Sequence, residues 1–373
     1  MTDFLSENRN DGTPWRSWLA ATLLGCVTAI ATGCAAHSQA DVAPELGPLF
    51  VHVADVGLGK SMSRIDYQSV DAKTGRLYIA GMGAGKLLVF DIGKQSLAEE
   101  REGFPKTTGI LAVPALGKLY VSVPGSGLKS AFSVALGWLG LTQGDGKLAI
   151  LALDSLRELA RLPGGVFPDG IAYDSVDARI FVSDEMGEAV QVIDAHSDQL
   201  LGRIALGGET GNVQYDPLTG RLYVPVQSKD ELAIIDPREG RSVARLALTG
   251  GRHPHGLAIA PASSIGYVAC DGDDRLLVVD LKAQKVLTVL PLGRDPDVLA
   301  LDPGMNRLYV ASESGQLASF DISAPEAPRA LGIVTVGPRA HSVAVDPASH
   351  RLYLPLADLN GTTVMRVIAP RQS

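Results

Sequence analysis

Gly211 to Leu248 reads GNVQYDPLTG, then RLYVPV, a short QSKD link, ELAIIDPREG and RSVARLAL. Four runs rich in Val, Ile, Leu and Tyr are cut apart by Asp-Pro, Gly and charged turns. Each run has strand length, and each break has hairpin chemistry. A single four-stranded meander cannot bury both of its faces. It needs neighbours like itself, and the rest of the chain supplies them.

The tripeptide Arg221-Leu222-Tyr223 locates the copies. Its counterparts begin at Arg76, Lys118, Arg179, Ile265, Arg307 and Arg351, which makes seven, spaced 42, 61, 42, 44, 42 and 44 residues apart. A period of about 40–50 residues with four strands per repeat is the propeller pattern. The expected fold is therefore all-β: a seven-bladed β-propeller of four-stranded antiparallel blades. The last copy ends after its third strand, near Thr363 to Ile368. Leu49 to Gly57 (LFVHVADVG) matches the fourth strands elsewhere, such as Leu331 to Gly337 and Val286 to Gly293. The N-terminal strand is thus expected to complete blade seven and leave no open edge.

Composition agrees with one large, turn-rich domain over residues 49–373: 46 % hydrophobic, 20 % charged, with 41 Gly and 22 Pro. Without residues 1–33 the balance is 31 basic against 38 acidic residues. A mildly acidic body argues against nucleic acid as a partner. The expected state is a monomer.

Residues 1–33 read as an export signal. Ser17 to Ala40 carries no Asp, Glu, Lys or Arg, and the apolar run ends in small residues. Ala31-Thr32-Gly33-Cys34 resembles the lipobox of bacterial lipoproteins, in which the Cys is lipidated. That implies a lipid anchor at Cys34 and a periplasmic location, with residues 34–48 as a flexible tether. An uncleaved membrane anchor, an ordinary signal peptide, and a second lipobox at Cys26 are the alternatives. Cys270 is expected to be buried packing. The 61-residue interval puts an insert at 124–146 of blade two, read either as a short helix covering a blade edge or as a lid.

Counting back from each anchor locates candidate chemistry. Ten residues before it stand Asp66, Thr108, Asp169, Gly211, His255, Asp297 and His341. Twelve before stand Arg64, Lys106, Phe167, Glu209, His253, Asp295 and Arg339. Strand periodicity places both columns on one side of the innermost strand, so the sequence predicts a ring of ionisable groups at one mouth of the channel. The ligand-binding candidates are Asp66, Asp169, His253, His255, Asp295, Asp297, His341, Arg339 and Arg64. His255, Asp297 and His341 suit a divalent transition metal as two His and one carboxylate. The interleaved Arg64, Lys106, Arg252, Arg294 and Arg339 equally suit an anion. A third column, Asp71, Asp174, Asp216, Asp302 and Asp346, lies five before the anchor, and Pro follows three of them. Those read as turn residues on the opposite face. Gly81-Met82-Gly83-Ala84-Gly85-Lys86 precedes a strand rather than a helix and reads as a glycine hairpin, and Asp271 to Asp274 reads as an acidic turn.

The repeats resemble the YVTN-type β-propeller family, the YncE-like proteins. The resemblance rests on Arg221-Leu222-Tyr223-Val224 with Ile234-Ile235-Asp236, on Arg307-Leu308-Tyr309-Val310-Ala311 with Phe320-Asp321, and on Val336-Gly337-Pro338 and Leu292-Gly293-Arg294-Asp295-Pro296. It covers about residues 49–369 and implies seven blades, export and a binding funnel. Blade five departs, with Ile265-Gly266 in place of Arg-Leu. The family is functionally mixed, so the resemblance selects no reaction. Three functions stay open. One is a membrane-tethered propeller binding a small anion, a metal or a protein partner. Another is an enzyme of the lactonase or lyase kind, with His255 or His341 as general base and an Arg stabilising negative charge. The third is an inert scaffold.

Overall fold

The computed structural model describes residues 46–125 and 144–371. The leader, Cys34, most of the tether and residues 126–143 of the blade-two insert lie outside the described residues. Within them the strands form seven four-stranded sheets, each antiparallel and each in meander order. Blade four consists of Gln214–Asp216, Arg221–Val226, Glu231–Asp236 and Arg241–Ala247. These are the four runs that the sequence sets apart. Among the described residues helix is limited to 3-10 turns at Met82–Ala84 and Gln227–Lys229.

Blade four shows why the repeats need one another. One of its faces packs Leu222, Val224, Val226, Ala233 and Ile235 against Phe181, Val190 and Val192 of blade three. The other packs Tyr223, Leu232 and Ile234 against Leu257, Val268 and Leu277 of blade five. Every second strand carries an aromatic two residues after the anchor. Tyr78, Tyr120, Phe181, Tyr223, Tyr267, Tyr309 and Tyr353 are all at most 1 % exposed. Each such ring fills the wedge between blades, and aromatic burial of this kind dominates core energetics. Cys270 lies in the same packing, and burial pushes its thiol pKa up.

Blade seven closes the ring with the N-terminal strand, Phe50–Lys60, laid antiparallel along Thr362–Pro370. One ion pair spans that seam. Arg366, buried, donates from Nε to Asp55 Oδ1 at 2.8 Å and from Nη2 to Asp55 Oδ2 at 2.6 Å. Its Nη1 donates to the Val336 carbonyl at 2.6 Å. A forked pair in which all three guanidinium nitrogens donate is the arrangement in which a buried cation is tolerated.

The innermost strands converge tightly at one end. Thr108 Oγ1 donates to the Pro168 carbonyl at 2.7 Å. The Asn212 amide donates to the His255 carbonyl at 3.0 Å, and that of Val298 to the His341 carbonyl at 3.4 Å. A Cβ at Gly109 would lie 1.9 Å from the Asp169 carbonyl oxygen, and one at Gly256 would lie 2.1 Å from that of Asp297. Glycine is required there because neighbouring blades meet backbone to backbone.

Candidate functional site at the channel mouth

The column ten residues before the anchor reaches the mouth. Asp66, Asp169, Asp297 and His341 are buried, and His255 is nearly so. The side chains meet both between neighbouring blades and between blades that are not adjacent. Tyr67 Oη of blade one lies 3.3 Å from His255 Nε2 of blade five. His255 Nε2 is 3.4 Å from Asp297 Oδ1. His341 Nε2 stands 3.9 Å from both Asp66 Oδ1 and Asp297 Oδ2. Arg64 reaches from blade one to blade six, with Nη2 3.5 Å from Asp297 Oδ2, Nη1 2.5 Å from Glu313 Oε1, and Nε 3.9 Å from Asp66 Oδ2.

The column twelve before the anchor does not follow it inward, Arg64 excepted. His253 pairs with Asp271 at 2.6 Å on the rim. Asp295 is exposed beside Arg294 at 3.5 Å, and Arg339 is exposed with Nη1 3.4 Å from the Ser63 carbonyl. The cause is local. Pairing slips by a bulge between Pro168 and Ile171, between Pro254 and Gly256, and between Pro296 and Leu299. Lys106, His253, Asp295 and Arg339 also take left-handed φ of 52–55°. Alternation holds only along a regular ladder, so a bulge plus a left-handed residue re-aims the side chains before it.

Three residues enter that the two columns omit. Glu185 and Glu313 lie six residues after their anchors, at the ends of second strands, where Gln227 and Asp271 stand in neighbouring blades. Gln227 Nε2 lies 3.4 Å from Glu185 Oε1. Tyr67 stands where blades two, three and five have Gly109, Gly170 and Gly256. A second strand ends where the first begins, but the position six after the anchor is polar only in blades three to six, with Met82, Pro124 and Ala357 elsewhere, so the sequence marks these partners of the inner ring only in part.

Acidic groups outnumber the cations, and burial sharpens their mutual repulsion. Burial and the Asp66 carboxylate push the Asp169 carboxyl up to about 7. Burial and Asp169 push Glu185 up to about 8. Burial would lower the His255 pKa, but Asp297, Asp169 and Glu185 together raise it to about 9. Burial also raises Asp297 against the pull of His255, His341 and Arg64. For Asp66 burial is outweighed by His341, Arg64 and His255, and its carboxyl lies below the usual range. Opposite shifts in one cluster make the mouth a candidate site.

Asp169 Oδ2, Asp297 Oδ1 and His341 Nε2 are buried and have no hydrogen-bond partner in the protein. Such groups are rare and call for an explanation. Asp297, Glu313 and His341 can each turn one ligand atom to a common point, with those atoms within 4.8 Å of one another. Ligands on one transition-metal ion stand about 3–4 Å apart, so small side-chain rotations would complete the set. Glu313 stands in this set where His255 was expected, and His255 faces the other oxygen of Asp297.

No protein-family model matches the chain, and no curated protein does. Among solved structures it is similar to hydrazine synthase of Kuenenia stuttgartiensis, at 16 % identity and a TM-score of 0.67, over 82 % of this chain and 96 % of that one. At that identity the likeness is one of fold.

Proposed function

We propose that this chain is an exported, lipid-anchored β-propeller that binds a cation, a divalent metal ion foremost, at the channel mouth. The observation that carries the reading is the set of buried unpartnered atoms, Asp169 Oδ2, Asp297 Oδ1 and His341 Nε2, in a cluster where carboxyls outnumber cations. An anion entering there meets carboxylates first, and the arginine nearest it is already paired with Glu313. The leader sequence supports export and the anchor at Cys34, and the repeat motifs support kinship with the YVTN-type propellers. Hydrazine synthase shares the fold, which lends no reaction to this chain.

The test is thermal unfolding of untagged protein with Mn2+, Co2+ and Zn2+. A ligand of the native state adds about 2.7 kcal/mol at a hundredfold excess over Kd. His341→Ala and Asp297→Asn should each remove the shift and keep the fold. Absence of any shift with all three ions would overturn the reading. One observation favours an enzyme as the second reading: Asp169 and Glu185 hold protons near neutral pH beside His255, as general acids do. Turnover of a lactone or a lyase substrate, lost in His255→Ala, would move the assignment there.

A further inference from the structure

We infer that Arg64 is a built-in counter-cation of the mouth, and that a divalent ion enters the Asp297–Glu313–His341 set by displacing its guanidinium. This rests on the cation reading above. Two of the three groups able to hold a metal, Asp297 and Glu313, are those that Arg64 neutralises, at 3.5 and 2.5 Å. The third, His341, is 4 % exposed, and its Nε2 has no partner although it stands 3.9 Å from Asp297. The arginine pairs with one oxygen of each carboxylate and leaves the imidazole without a hydrogen bond. A metal ion would satisfy all three.

The root of Arg64 is fixed while its head is free to leave. The Gly83 amide donates to the Arg64 carbonyl at 2.8 Å, and Arg339 donates to the Ser63 carbonyl at 3.4 Å. A Cβ at Gly83 would lie 2.4 Å from Ser63 Oγ and 2.7 Å from the Arg64 amide nitrogen. The glycine hairpin therefore clamps this backbone. The Arg64 side chain is 29 % exposed, so solvent already reaches it, and displacement asks only its side-chain torsions to turn. Side-chain rotation of that kind is fast and needs no opening of the ring.

The device answers an electrostatic problem. Ionised carboxylates clustered out of water repel one another and need a compensating charge. A tethered guanidinium supplies it before any ion arrives. It also sets a threshold, because an ion that replaces one positive charge gains only if it brings more than one. Divalent ions should displace Arg64 and monovalent ions should not.

Calorimetric titration with Mn2+ tests this on the mature wild-type protein, Arg64→Ala and Arg64→Lys. Arg64→Ala should bind Mn2+ tighter by on the order of tenfold or more, because removing a unit charge a few ångströms from the ligands removes a competitor. Arg64→Lys should stay near wild type, and K+ at a hundredfold excess should compete only in Arg64→Ala. Where Arg64→Ala does not fold, Arg64→Gln takes its place. Unchanged or weaker Mn2+ binding in the uncharged variant, with wild-type binding intact, overturns the displacement while the cation reading stands. Failure of every variant to bind Mn2+, Co2+ or Zn2+ overturns both.

Discussion

On the face away from the mouth, Asp71, Asp174, Asp216, Asp302 and Asp346 each end an inner strand. Each accepts a backbone N–H from the turn that follows: Lys73, Val176, Leu218, Met305 and Ala348 are donors, at 2.8–3.3 Å. At the mouth, Asp66, Asp169 and Asp297 begin inner strands, and among the described residues none accepts a backbone N–H through its carboxylate. They face one another, two histidines and an arginine. The residue type is the same at both ends and the strands are the same strands. What differs is whether the backbone supplies the partners. A carboxylate filled by its own turn is finished, and one left to find partners across a channel is available to a ligand.

The sharpest way to break this comparison is a charge that is complete but not in a turn. Asp55 and Arg366 close the ring, and each nitrogen of the Arg366 head donates a hydrogen bond there. Asp55→Ala strands a buried guanidinium and should cost about 3 kcal/mol. In urea denaturation the midpoint should fall well below that of wild type, with Mn2+ binding at the mouth unchanged. A loss under about 0.5 kcal/mol would mean that completeness of pairing is not what separates the two faces.

Next in size is Asp169→Asn, expected to have the opposite sign. At pH 8 this buried carboxyl is being forced to ionise, and the amide removes that penalty, so stability should rise by about 2 kcal/mol. The pH profile sharpens the point. Asp169, Glu185 and His255 hold protons to about 7, 8 and 9 in the fold, against ordinary values of 3.8, 4.5 and 6.5. Each binds its proton more tightly folded than unfolded, so its contribution is complete at low pH and is lost as pH rises from about 4 through 9. On the turn face Asp91, Asp194 and Asp236 lie below the ordinary carboxylate range. For Asp91 and Asp194 the largest cause is an amide of the following turn; for Asp236 such amides, with Arg221, outweigh burial. Their contribution is present above the unfolded pKa and is lost as pH falls through the folded one. Urea midpoints from pH 2 to 9 should show the limb between about pH 4 and 7 flattened in Asp169→Asn and the limb below about pH 4 untouched. Flattening of both limbs would show that the faces are not independent.

The ring, its seven-fold count and its closure are legible in the sequence because they repeat. Arg-Leu-Tyr or a variant of it marks every blade, and an Asp ten residues before three of the anchors needs no geometry to be noticed. The mouth is only partly legible. His253 and Asp295 precede a bulge that turns them outward, Arg339 shares their left-handed φ, and a bulge is set by how neighbouring strands pair, which no single strand encodes. Glu313 escapes notice for the opposite reason. It sits at a strand end in one blade, with Pro124 and Ala357 at the same position elsewhere, so it repeats too weakly to form a column. Arg64 is legible as a charge but not as a bridge from blade one to blade six. That bridge exists only once the chain has closed.

The smallest expected effect lies on the turn face, and it is the one that isolates the cause. Asp216 accepts from the Leu218 amide at 3.1 Å and from Thr219 Oγ1 at 2.9 Å. Asp216→Ala leaves both donors near enough to water to be partly satisfied, so the loss should be about 1 kcal/mol. It should be read beside Asp297→Asn at the mouth, which removes a ligand and leaves the fold standing. If Asp216→Ala lowers the urea midpoint and spares Mn2+ affinity, while Asp297→Asn spares the midpoint and abolishes affinity, aspartate serves the fold at one end of the strands and a ligand at the other. If Asp216→Ala also weakens Mn2+ binding, the turn face transmits strain through its inner strand to the mouth, and the separation of the faces fails where the strand is rigid enough to join them.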